Sequence, residues 1–173
     1  MDRLADHLLR TGLAHSSLRQ LAAAAGVSDR MLVYYFSNKS EALAAAMARV
    51  AGQLAGQLAG AMPEGARLEP GELIARAALL TTGKAMRPYM RLWIEVVAAA
   101  ARGEPPFVEI AHQIATGFLK WIEARLAPGE AEGREATAAA ILAMIDGLAL
   151  LEVCAGEGLT ARAAATMGAL SRR

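Results

Sequence analysis

Residues 18–36 constrain this chain more tightly than any other stretch. Leu18, Leu21 and Ala22 put an apolar stripe on a short helix over 18–25, Gly26 ends it, and a second short helix resumes after Ser28. Ser16 or Ser17 is suited to cap the first helix and Ser28 the second, where Asp29 favours the positive end of the helix dipole. In Leu-Arg-Gln-Leu-Ala-Ala-Ala-Ala-Gly-Val-Ser the alanines let two helices cross closely, Gly26 permits a left-handed turn, and Val27 is expected to bury beneath it.

The rest of the chain reads as helix too. Leu4, Leu8 and Leu9 recur at helical spacing over 1–10 before Thr11-Gly12. Ser37-Asn38-Lys39-Ser40 breaks the periodicity, and a long Ala/Leu-rich helix is expected over 41–62. Loops rich in Pro and Gly then separate expected helices at 72–86, 89–102 with Pro88 in the first turn, 107–126, 134–155 and 160–171. No period-two pattern marks a strand, so the fold class is all-α. An N-terminal three-helix domain over 1–43 precedes a larger helical domain over 44–173.

Composition narrows the function. Eighteen Lys and Arg face 17 Asp and Glu, a net charge of +1, so any signal for nucleic acid has to be local. The single Cys154 excludes an intramolecular disulfide framework and a clustered cysteine metal site, and fits a reducing compartment. Charged residues or Gly punctuate every apolar stretch before about 20 residues accumulate, and the N-terminus lacks a secretory pattern. The expectation is a soluble cytoplasmic protein without a membrane partner. There is no Gly-rich phosphate loop, no Cys/His ligand spacing and no Ser-His-Asp constellation, and His7, His15 and His112 fall in different elements. These absences point away from an enzyme, a cofactor or a metal.

Two short helices joined by a Gly-containing turn form the geometry that places a second helix in the DNA major groove. The stretch from Ser17 to Leu43, above all Ala-Gly-Val-Ser at 25–28, Tyr-Tyr-Phe at 34–36 and Lys39 with Glu41 and Leu43, closely resembles the DNA-binding domain of TetR-family repressors. The resemblance implies that Ser28, Asp29, Arg30 and Met31 begin the recognition helix. It also implies that Tyr35 and Lys39 contact phosphate, as does Ser17 at the start of the second helix, with Arg19 adding positive charge nearby. Lys and Tyr meet phosphate without choosing sequence, whereas Arg30 suits bidentate contact to guanine O6/N7. Of Tyr34 and Tyr35, one is expected to face inward and the other to reach the DNA backbone. The numbering starts almost at the first helix, without the basic arm many relatives lay near the minor groove. Charge over 1–43 is near balance, so binding is expected to be salt-sensitive.

In the body the resemblance narrows to helix pattern and Ile-Asp-Gly-Leu at 145–148. It implies a dimer through the last two helices and a ligand that weakens DNA binding. Ile141, Ile145, Leu148 and Glu152, with Ala163, Met167 and Leu170, form stripes suited to pairing with a twofold copy. Twofold symmetry implies a pseudo-palindromic operator on double-stranded DNA. Met86, Tyr89, Met90, Trp93, Phe107, Ile110, Ile114, Phe118 and Trp121 are the candidate wall for a small apolar effector, with Glu95 and His112 as candidate polar contacts. The alternative is a helical interaction module whose head binds protein, which Arg30, Tyr35 and Lys39 speak against.

Overall fold

The computed structural model describes residues 1–63, 65–128 and 131–170, and their regular structure is helical. In chain order the α-helices are α1 (Asp2–Thr11), α2 (Leu18–Ala25), α3 (Asp29–Tyr35), α4 (Lys39–Ala61), α5 (Pro70–Thr81), α6 (Arg87–Ala101), α7 (Phe107–Glu123), α8 (Ala131–Ala155) and α9 (Glu157–Leu170). The expected all-α class holds, and α2 has the expected bounds. A 3-10 turn at Leu13–His15, which no sequence pattern marks, joins α1 to the cap of α2.

Two helices end early for local reasons. α5 stops at Thr81 rather than 86, because the Thr81 and Thr82 hydroxyls donate to the Ala77 and Ala78 carbonyls just before Gly83, competing with the helix. α7 stops at Glu123 rather than 126, because the chain there turns to an isolated bridge between Leu68 and Leu126. In that bridge Leu68 N–H donates to the Arg125 carbonyl and Ala127 N–H to the Leu68 carbonyl, each at 2.8 Å.

The chain forms two compact units, one of residues 1–57 with 91–114 and the other of 58–90 with 115–173. In the first, α1 packs on α2 and α2 on α3. Leu4, Ala5 and Leu8, Leu21 and Ala22, Leu32, and Leu43 with Ala46 and Met47 are buried there, one apolar stripe from each of α1 to α4. In the second, α5 packs against both α8 and α9, and α8 against α9. Its core gathers Met62, Leu68, Leu73, Ile74, Ile122, Leu126, Ala138 and Ile141. A smaller cluster of Ala78, Leu148 and Ala164 lies alongside α9.

Candidate nucleic-acid interface

Short-range caps hold α2, α3 and the start of α4. At α2 the Gln20 N–H donates to Ser17 Oγ, and the Ser17 N–H returns to Gln20 Oε1 at 3.0 Å, a reciprocal capping box. The Ser17 hydroxyl also donates to Gln20 Oε1 at 2.6 Å, so it is already engaged within the helix start. Gly26 closes α2 in the left-handed region at φ 76°, ψ 31°, with its own N–H on the Ala23 carbonyl and Val27 N–H on that of Ala22. Ser28 Oγ then caps α3 by accepting from the Met31 N–H at 3.2 Å. Before α4, Asn38 Oδ1 accepts from Glu41 N–H at 2.9 Å while Glu41 Oε2 accepts from Ser37 N–H at 2.8 Å. Glu41 therefore fixes the loop that presents Lys39.

These caps leave one face of α3 open. Only Leu32 of α3 is buried; Asp29, Arg30, Met31, Val33, Tyr34 and Tyr35 are exposed, as are Ser17, Arg19, Ser28 and Lys39. Two expectations are corrected here. Val27 is 37% exposed and does not bury beneath the turn, whereas Leu21 and Ala22 of α2 are buried. Tyr34 and Tyr35 are 82% and 66% exposed, so neither faces inward; they stack edge to face with ring centroids 5.5 Å apart. Among the described residues no carboxylate pairs with Arg19, Arg30 or Lys39. Exposed aromatic surface is costly to leave in water, and beside unpaired cations it suits a polyanion with apolar base edges.

The N-terminal profile of the bacterial regulatory proteins of the tetR family matches residues 5–47. The C-terminal profile of BetI-type transcriptional repressors matches residues 73–170, more than half the chain. The chain belongs to the tetR family. A solved transcriptional regulator from Rhodococcus sp. Rha1 is similar at 27% identity, with 98% of this chain and 94% of that one covered and a TM-score of 0.75. The multidrug binding protein EbrR, solved with proflavin, is 25% identical over 98% of both chains, TM-score 0.67. A transcriptional regulator from Saccharomonospora viridis in complex with choline, 16% identical over 99% and 95%, TM-score 0.69, shares the fold. No curated protein matches the chain significantly in sequence. The protein is thus a DNA-binding transcription regulator of a ligand-responsive, non-catalytic family.

Within this TetR-family framework Glu95, a candidate polar contact for the effector, is engaged by the backbone, and the structure also shows two arginines to which the sequence does not point. Glu95 of α6 is engaged within the first compact unit: its Oε2 accepts from Leu13 N–H at 2.5 Å. The carboxylate sits so close to Gly12, itself at φ 70°, that a β-carbon there would collide with it. Arg125 is 3% exposed; its Nε donates to the Met62 carbonyl at 3.0 Å, its Nη1 to the Trp121 carbonyl at 3.1 Å, and its guanidinium lies 4.1 Å from the Trp121 ring centroid. Arg134 donates to the carbonyls of Glu123, Leu126 and Ala127, closing the end of α7. No local sequence pattern marks either arginine.

The candidate effector wall falls in both units. Trp93, Phe107, Ile110 and Ile114 belong to the first and Met86, Tyr89, Met90, Phe118 and Trp121 to the second. Met86, Tyr89, Phe107 and Ile110 are buried, while Met90, Trp93, Ile114, Phe118 and Trp121 are half-buried. Among the described residues the buried Trp121 indole N–H has no acceptor. His112 is exposed. Among the described residues no group of three His, Cys, Asp or Glu side chains is placed to hold a metal ion.

The candidate dimer stripe is corrected in part. Ile141 and Leu148 are each 1% exposed, inside the core of a single chain, because α8 turns that face to α5 and α9. Ile145, Ala163 and Met167 pack against the same core. Glu152 pairs with Arg87 at 3.3 Å, and the side chain of Leu170 lies outside the described residues. The opposite face of α8 is exposed instead: Ala136, Ala140, Ala143, Gly147, Leu150 and Cys154 recur at three- and four-residue spacing. Gly133–Ala155 is long and apolar enough by length and composition to cross a membrane, though charged residues punctuate it, as expected from the sequence. These are Arg134, Glu135, Asp146 and Glu152.

Proposed function

We propose that this protein is a repressor released from a pseudo-palindromic operator by a small, largely apolar effector, and that it acts as a cytoplasmic homodimer. The observation that carries the reading is the open face of α3, where Arg30, Met31 and the mutually stacked Tyr34 and Tyr35 are exposed and where, among the described residues, no carboxylate pairs with Arg30 or Lys39. Arg30 reads guanine; Tyr35 and Lys39 bind phosphate and set the register, with Ser17, Arg19, Ser28 and Tyr34 at the margin. In functional terms residues 1–43 are the reading head and 44–173 the sensing and pairing body.

Pairing uses the exposed side of α8 and α9, the Ala140-Ala143-Gly147-Leu150 stripe with Leu159, in place of the buried Ile141 and Leu148. Small residues let two helices approach closely, and an apolar face of this length in a regulator calls for a second copy. The effector site draws on the half-buried Met90, Phe118 and Trp121 of the second unit. The acceptorless Trp121 N–H supports one hydrogen-bond acceptor on the effector, and the likeness to EbrR, solved with proflavin, supports a small-molecule ligand. Binding acts by favouring a spacing of the two heads that no longer fits successive major grooves.

Selection of bound sequences from random duplex DNA tests the reading. Enrichment of two related half-sites about one helical turn apart is expected; no enrichment at low salt contradicts it.

A further inference from the structure

Arg3 lies on an exposed side of α1, and its guanidinium rests against the turn between α2 and α3. A β-carbon built on Gly26 would stand 2.6 Å from Arg3 Nη1 and 3.9 Å from Cζ, so the left-handed glycine also makes room for the arginine. From Gly26 to Met31 the chain is exposed without interruption, which makes the turn continuous with the open face of α3. The charges beside Arg3 are used differently. Asp2 accepts from Arg49 Nε at 2.5 Å and so ties α1 to α4, whereas among the described residues no carboxylate or carbonyl engages Arg3. Asp29, at the first position of α3, is a negative charge that phosphate would otherwise meet unopposed.

We propose that Arg3 is a DNA-backbone contact supplied by α1, binding a phosphate next to the entry point of the recognition helix. The inference rests on α3 being the helix that enters the groove. A guanidinium presents parallel N–H donors that match two oxygens of one phosphate, and its contact carries no sequence information. It also offsets Asp29 at the point where the head meets the duplex, which the near balance of charge in the head otherwise leaves unfavourable.

The test is the salt dependence of binding by the full chain to a duplex of random sequence. Removing one phosphate-binding cation makes the slope of log K against log salt shallower by about 0.9. Arg3→Ala and Arg3→Gln are both expected to flatten the slope by about that much per bound head, with Gln keeping the side-chain length against the turn. Arg3→Lys is expected to keep the slope, and Arg10→Ala, on the last turn of the same helix, to leave it at the wild-type value. A wild-type slope in Arg3→Ala or Arg3→Gln overturns the inference while leaving DNA binding by α3 standing. Failure of the wild-type chain and every variant to bind duplex at low salt overturns both.

Discussion

The faces left exposed by α3 and by α8 are unlike in kind. On α3 the uncovered side chains are large, aromatic or cationic and stand on a seven-residue helix held by caps at both ends. On α8 they are small and apolar along a helix of 25 residues whose other face is packed into a core. A surface of the first kind suits a charged, hydrogen-bonding polymer, and one of the second kind suits a helix like itself. The contrast supports the proposal of DNA at one end of the chain and a second copy at the other without appeal to net charge, which is nearly zero.

The comparison is sharpened first by removing an anchor of the body. Arg125→Ala takes away two hydrogen bonds to carbonyls and a cation–ring interaction in a buried setting, and is expected to lower stability in urea by about 3 kcal/mol. Full stability would contradict the role assigned to that guanidinium. Glu95→Ala leaves the Leu13 N–H without its acceptor, for an expected loss of about 2 kcal/mol and faster hydrogen exchange at the Leu13 amide. Glu95→Gln should restore most of both, because an amide oxygen still accepts. Unchanged exchange in the alanine variant would break the link drawn between α6 and the corner after α1.

A smaller effect separates the two faces of α8. Leu150→Asp is expected to weaken self-association in sedimentation by about tenfold or more, equivalent to about 1.4 kcal/mol, without lowering the stability of the single chain. Ile141→Val should do the reverse, costing about 1 kcal/mol of stability and leaving association unchanged. Dissociation caused by the second and not the first would restore the interface expected from the sequence. The smallest effect is at the surface: the Arg49 guanidinium hydrogen-bonds the Asp2 carboxylate and holds it below the usual carboxylate range. Its contribution is therefore present above the ordinary carboxylate value and lost as pH falls through the lowered one. Asp2→Asn should flatten that part of the acid-unfolding curve slightly.

Legibility differs between the two regions for a physical reason. Ser17 with Gln20, Ser28 with Met31 and Asn38 with Glu41 act across three residues, a range over which sequence spacing is geometry. The head is accordingly legible nearly residue by residue, except where exposure is at issue, at Val27 and Tyr34. Glu95 reaches a partner 82 positions away and Arg125 one 63 away, and nothing in a linear pattern couples such residues. The α8 stripe misleads for a related reason. Ile141 and Leu148 are among the larger residues of that helix and suggest an interface, yet size is what a core requires. The smaller residues opposite them carry the exposed face.

The central claim is that α3 reads DNA with Arg30 while Lys39 only holds it. Selection from random duplexes by the wild-type chain, Arg30→Ala and Lys39→Ala separates these roles in one experiment. The account predicts that Arg30→Ala loses preference at one position of each half-site, worth about 1–3 kcal/mol. Lys39→Ala should enrich the wild-type site with uniformly weaker binding. An unchanged site preference in Arg30→Ala would contradict it.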